Sequence, residues 1–263
     1  MSQPLVLLHV EQQVAHITLN RPEAMNALDE PLADAVVELV EGLRHRADVR
    51  AVVLSGAGRS FCSGGDLRML DSFRQLSLEE GAARMLSFYK RYLKLRELEV
   101  PVIAAIHGSA IGAGACLSLL CDVRIATLDA KLAFNFVKLG LHPGLGATEF
   151  LPRVVGEGRA IELLISGRTV SGEEAASLGL VHTAVSAEGF EAEVRRQAQA
   201  LAELGPLAVR LLKERLRNRT HGARLEAALQ FEALAQARCY QTTDFQEGIR
   251  AAREKRRPQF TGE

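Results

Sequence analysis

Two glycine-bearing segments hold the residue types best suited to chemistry. Ser60-Phe61-Cys62-Ser63-Gly64-Gly65-Asp66-Leu67 follows a short apolar run, and its adjacent glycines let backbone N–H groups face a cavity unobstructed by side chains. N–H groups placed in this way stabilise an oxygen that gains negative charge during a reaction. The same residues also read as a tight turn in which Asp66 caps the following helix. The second segment, His107-Gly108-Ser109-Ala110-Ile111-Gly112-Ala113-Gly114, leaves an apolar run and opens a helix, which brings unpaired N–H groups to one spot. Gly108, Gly112 and Gly114 lack the G-x-G-x-x-G spacing, so dinucleotide binding is excluded.

Ionisable candidates are few. His142, just before Pro143-Gly144, has an imidazole whose ordinary pKa suits acid–base work near neutrality, with a satisfied loop histidine as the competing reading. His107 reads as support for the second glycine turn, and Glu149 as a helix residue directed to solvent. Cys116 lies between Ala115 and Leu117 with no cation adjacent in sequence, the setting of a packing thiol rather than a nucleophile. Ser63 and Ser109 sit in no G-x-S-x-G elbow, which sets a serine hydrolase aside. Cys62, Cys116, Cys121 and Cys239 form no C-x-x-C pair, so reduced thiols and no zinc site are expected.

The elements that must hold these loops show in the hydrophobic pattern. Leu5 to Leu8 and Val14 to Leu19 read as an antiparallel strand pair, and Leu32, Val36, Val37, Leu39, Val40 and Leu43 recur at helical spacing. A strand over 51–55, a helix over 78–98, a doubly covered strand over 101–106, a helix over 112–121, a strand over 123–126 and a helix after Pro143-Gly144 follow. From about Ala187 only helical periods continue. The 263 residues therefore read as an α/β body over 1–200 and a helical C-terminal region over 201–263.

Lys plus Arg, at 32, balance Asp plus Glu, at 32, so no global field recruits nucleic acid or anionic lipid. Trp is absent, which argues against a base-stacking surface. No apolar run approaches the roughly 18–20 residues of a membrane span, and a cytoplasmic location is expected.

Taken together and in order, several segments resemble the enoyl-CoA hydratase/isomerase (crotonase) family along nearly the whole chain. They are Asn20 to Leu28, Phe61 to Leu67, Pro101 to Gly108, Cys121-Asp122, Leu139 to Gly144, Leu151-Pro152-Arg153, and Glu247-Gly248 through Glu254-Lys255-Arg256. The resemblance implies a crotonase-like spiral of β-β-α units, a helical C-terminal trimerisation region, assembly as a homotrimer or homohexamer, and an acyl-CoA thioester as partner. Coenzyme A is then part of the substrate and no further cofactor is expected. By motif position the resemblance assigns the N–H groups of Gly65 and Ala113 to the thioester oxygen. It places Ala24, Met25, Ser63, Asp66 and Leu67 along the bent CoA, Cys116 and Phe136 on the acyl pocket, and Lys255 near CoA phosphate, supplied by the same or a neighbouring subunit. Read from its own charged run, Lys255 is a solvated surface residue.

The departures from the family pattern bear on the reaction. Hydratases of this family use two glutamates, and the matching positions hold Cys116, two residues beyond Gly114, and Phe136, four before Gly140. Each missing acid or base function removes about 10²- to 10⁴-fold in rate. The expectation is an acyl-CoA enzyme, hydratase or isomerase by family, that stabilises a thioester enolate and lacks the two-glutamate arrangement for hydration, with His142 as a substitute acid/base. The alternatives are a decarboxylase of the same fold, where loss of CO₂ itself creates the carbanion, and a non-catalytic acyl-CoA binding or scaffold protein.

Overall fold

The computed structural model describes residues 3–44 and 46–262, with backbone alone for 217–222. β1 (Val6–Glu11) and β2 (Val14–Leu19) pair antiparallel, as their alternation predicts, around a turn at Gln12 and Gln13. α1 (Glu30–Arg44) crosses to β3 (Ala51–Gly56) and buries Leu32, Val36, Val40 and Leu43 on one face. The chain continues through α2 (Leu67–Ser72), α3 (Leu78–Leu93), β4 (Val102–Ile106), β5 (Ser109–Ile111) and α4 (Ala113–Leu119). β6 (Val123–Thr127), β7 (Lys131–Ala133), a 3-10 turn (Phe136–Leu139), α5 (Ala147–Val155) and α6 (Glu157–Ser166) follow. The last elements are β8 (Thr169–Ser171), α7 (Gly172–Ser177), β9 (Thr183–Val185), α8 (Ala187–Ala202), α9 (Pro206–Tyr240) and α10 (Thr243–Glu254).

The strands form two layers, and the chain visits both in each turn. A six-stranded sheet runs β1-β2-β3-β4-β6-β9, parallel from β2 onward, and a three-stranded sheet runs β5-β7-β8. β4-β5-α4 is one complete turn of this spiral. In earlier turns the second strand shrinks to single parallel bridges, Leu28 to Gly65 and Cys62 to Ala110, which extend the smaller layer. This stacking sets the first glycine loop beside the second.

Period-two alternation sorts the large sheet's residues between two cores. Val14, Ala51, Val53, Ile103, Ala105 and Ile125 meet Phe190, Val194, Ala198 and Ala202 of α8. Ala15, Ile17, Val52, Leu54, Ala104 and Ile106 face the main core. α9 divides in two: Leu207, Leu211, Leu212 and Leu216 are exposed, whereas Leu229, Ala233, Ala237 and Tyr240 are buried. The buried half packs on α3, where a Cβ at Gly81 would meet Ala237 at 3.4 Å. Among the described residues no helix is long and apolar enough to cross a membrane.

Candidate active site

A mainly apolar cavity of about 430 Å³ opens where the two glycine loops, α3, the 135–145 segment and α9 converge. Gly65 and Ala113 both line it. In the parallel bridge to Leu28 the bonds run from Leu28 N–H to Gly64 O (2.7 Å) and from Asp66 N–H to Leu28 O (2.8 Å), so Gly65's own N–H points away from that pairing. Neither the Gly65 nor the Ala113 N–H has a hydrogen-bond partner among the described residues. Two loops can approach this closely only through glycine: a Cβ at Gly64 would lie 2.7 Å from Ile111 O, and one at Gly114 would lie 2.3 Å from Cys62 O. The Gly64 φ of 102° is also one that other residues rarely adopt.

Around this pair the polar groups are mostly engaged in holding the wall. Asp66 Oδ1 accepts from Arg68 N–H (2.9 Å) and Met69 N–H (3.3 Å), which caps α2. Its other oxygen faces Arg21, whose guanidinium also reaches Asp29 at 2.8 Å. Ser63 Oγ donates to Ala24 O at 3.3 Å and Ser63 N–H to Met25 O at 3.0 Å. The Met25 turn, left-handed at Met25 and Asn26, is pinned by the buried Asn26 side chain, which donates to Ala57 O (2.9 Å) and Ser60 O (2.8 Å). On the far side Gln236 Nε2 donates to His142 O (2.7 Å) while its Oε1 accepts from Tyr240 (3.0 Å).

The family model for enoyl-CoA hydratase/isomerase matches residues 9–263. A probable enoyl-CoA hydratase from Mycobacterium bovis is 34% identical over 261 residues, covering 99% of each chain. A crotonyl-CoA hydratase from Syntrophomonas wolfei is 34% identical over 256 residues, covering 97% of each. The crystal structure of an enoyl-CoA hydratase from Mycobacterium avium subsp. paratuberculosis superposes with a TM-score of 0.86 at 29% identity, over 98% of both chains. The chain belongs to the enoyl-CoA hydratase/isomerase family.

Within this family member, Ala24, Met25, Ser63, Gly65, Asp66, Leu67, Ala113 and Phe136 all line the same cavity. Three expected site residues do not. Cys116 has no exposed surface: α4 is buried along its whole length, and its thiol is pushed far up in pKa, first by burial and then by the nearby Glu232 charge. It is neither wall nor nucleophile. His142 is half-buried, packs its ring edge-on against exposed Phe231 at 5.5 Å between centroids, and accepts from Gln236 through its carbonyl. The Nδ1 atom lies 2.6 Å from Pro143 O, and burial lowers the imidazole pKa. Lys255 caps α10 in the left-handed conformation, exposed and off the cavity wall; Ala252, one turn earlier, is the lining residue. Glu149 is buried and paired with Arg153 instead of facing solvent.

Sequence reasoning missed Met85, Phe88 and Tyr89 on α3, Asn135, and Gln236 on α9, all of which line the cavity. Tyr89 is buried with its hydroxyl unpartnered among the described residues, and its pKa is raised well above the ordinary value, chiefly by burial. Leu145 N–H opposes that shift without reaching hydrogen-bond geometry. The same cavity contains a single acid, Asp66, and a single cation, Arg68, among the described residues.

Proposed function

We propose that the chain is an acyl-CoA thioester enzyme that holds the thioester oxygen between the N–H groups of Gly65 and Ala113. The observation that carries this reading is that both N–H groups lack partners among the described residues and belong to adjoining loops of one apolar cavity. A thioester oxygen gains charge when the α-carbon becomes a carbanion, and fixed donors stabilise that enolate more than the ground state. The relatives' hydratase names support hydration or isomerisation as the reaction class. With Cys116 and Phe136 at the family's glutamate positions, the enolate site is retained while two-carboxylate water activation is not. Decarboxylation is the second reading, favoured by the lack of any acid other than Asp66 on the cavity wall among the described residues.

Assembly as a homotrimer or homohexamer is part of the proposal, supported by the exposed Leu207, Leu211, Leu212 and Leu216 of α9. A light-scattering mass of one subunit at micromolar concentration overturns it. The four free cysteines suit a reducing compartment, and we place the enzyme in the cytoplasm. The reaction is tested by incubating the purified protein with saturated, 2-enoyl, 3-enoyl and malonyl-type CoA thioesters, with mass spectrometry of products alongside binding. Turnover of any one supports an enzyme; tight binding with no turnover leaves a binding or scaffold protein.

A further inference from the structure

Asn135 lies on the cavity wall one residue before Phe136, at the entrance to the 3-10 turn, with φ −87° and ψ 24°. That backbone region is sparsely populated and recurs at active sites. An asparagine at the start of a helical turn ordinarily bonds back to the first free N–H groups, yet this side chain makes no capping bond. Its amide has no partner among the described residues. It is turned toward the second glycine loop instead: a Cβ at Gly112 would lie 3.3 Å from Asn135 Oδ1. Covalent geometry then puts Oδ1 within about 7 Å of Ala113 N, close enough to reach the acyl carbons next to a thioester held there.

The backbone of Asn135 is fixed. Its carbonyl accepts from Lys138 N–H at 3.0 Å, and Gly167 passes so near that a Cβ there would lie 3.0 Å from Asn135 Cα. The other polar side chains of the wall are engaged or out of reach: Ser63, Asp66 and Gln236 make the bonds described above, the Tyr89 hydroxyl has almost no accessible surface, and Arg68 sits at the exposed rim. An unpartnered amide on a rigid backbone, among Ile111, Phe136 and Leu139, is built to meet a ligand atom.

We propose that Asn135 is a specificity-determining residue of the acyl site, its amide hydrogen-bonding a neutral oxygen, hydroxyl or carbonyl, carried by the acyl group beside the thioester. The inference rests on the acyl-CoA reading above. Neutrality follows from the surroundings: an amide brings no charge, and a carboxylate buried among these apolar residues would lose its hydration without a cation to replace it.

The test measures binding of butyryl-CoA, 3-hydroxybutyryl-CoA, acetoacetyl-CoA and malonyl-CoA by calorimetry to the wild-type protein and to Asn135→Ala. The substitution removes no hydrogen bond seen in the fold, so its melting temperature should match wild type. Wild type is expected to bind at least one of the two oxygen-bearing butyryl thioesters about tenfold tighter than butyryl-CoA, and malonyl-CoA no tighter. In Asn135→Ala that ratio should fall to about one with butyryl-CoA affinity unchanged. Equal binding of the three butyryl thioesters by wild type, a preference that survives in Asn135→Ala, or tighter binding of malonyl-CoA overturns the inference and leaves the acyl-CoA reading standing. Failure of every thioester to bind overturns both.

Discussion

The Glu232 carboxylate accepts a hydrogen bond from Gly146 N–H at 2.7 Å, joining α9 to the turn that closes the cavity. Its second oxygen takes the Thr148 N–H at 2.9 Å and the Thr148 hydroxyl at 2.5 Å. The turn needs this anchor because Leu145 and Gly146 both have left-handed backbones, φ 57° and 77°, and a leucine there is strained. Burial raises the Glu232 pKa, and the three donors act against it. Glu232→Ala should therefore destabilise the fold by about 3 kcal/mol or more, since several buried donors lose their acceptor. Glu232→Gln, which keeps one acceptor oxygen, should cost less. Urea denaturation of both variants checks the order, and an unchanged midpoint for Glu232→Ala would show that the anchor is dispensable.

The Gly65 and Ala113 assignment predicts opposite outcomes for two substitutions at one site. Ala113→Pro deletes an N–H that no group among the described residues uses, at a first helical position where proline is tolerated. Turnover, or binding of an enolate-like ligand, should fall by about 10²-fold or more. Ala113→Ser keeps the N–H and should be far milder. Circular dichroism verifies folding, and wild-type activity in folded Ala113→Pro protein sinks the assignment.

Tyr89→Phe should leave stability unchanged or raise it slightly, a reversal of the usual result for a buried tyrosine. Its hydroxyl has no partner to lose among the described residues, and a phenylalanine removes a desolvated polar atom while keeping the ring among Phe88 and Leu145. A melting temperature several degrees lower would mean that a bound water satisfies the hydroxyl.

Three histidines predict a pH dependence. His16, His142 and His182 all have pKa values lowered from the ordinary 6.5, in each case chiefly by burial, with His9 adding to the effect at His16 and Arg124 at His182. Lowered folded-state values mean that the unfolded chain binds more protons just below pH 6.5, so stability rises with pH there. Their contribution is complete above 6.5 and is lost as pH falls from 6.5 through the folded-state values. Denaturation midpoints at pH 5 and pH 7.5 should differ in that direction. His182, whose Nδ1 accepts the Arg124 N–H at 3.1 Å, should carry part of it, so His182→Gln should flatten the profile.

How far the sequence reaches depends on the range of the interaction. The α1 stripe and the apolar β4 run are local patterns with unambiguous periods, and both form as expected. β5, β7, β8 and β9 are three residues each, too short for a period to appear, and they exist because the spiral brings partners to them. The glycine loops announce themselves because close approach demands glycine, and both loops line one cavity. Tyr89 and Gln236 look like ordinary helix residues until α3 and α9 close over Gly144, where a Cβ would strike both. For His142 the position in the Pro143-Gly144 turn is legible and its ring's packing is not, because that depends on Phe231, distant in sequence.

The two glutamate positions differ in what a carboxylate would meet, which yields the last prediction. Phe136 is a cavity-wall residue, 7% exposed, and Phe136→Glu would present its acid to the substrate space. Cys116, with 0% exposure, lies close enough to Glu232 for that charge to raise its pKa, so Cys116→Glu would add a second buried acid near the first. Such an acid stays protonated or destabilises the fold by several kcal/mol. The unmodified protein should be a poor crotonyl-CoA hydratase, and Phe136→Glu alone should recover more hydration than Cys116→Glu alone. The double variant should exceed either only if it remains folded at the assay temperature, which a melting curve establishes beforehand. Rapid hydration of crotonyl-CoA by the wild-type chain would show that water is activated without either carboxylate. Since His142 does not line the cavity, His142→Ala should then leave that rate intact.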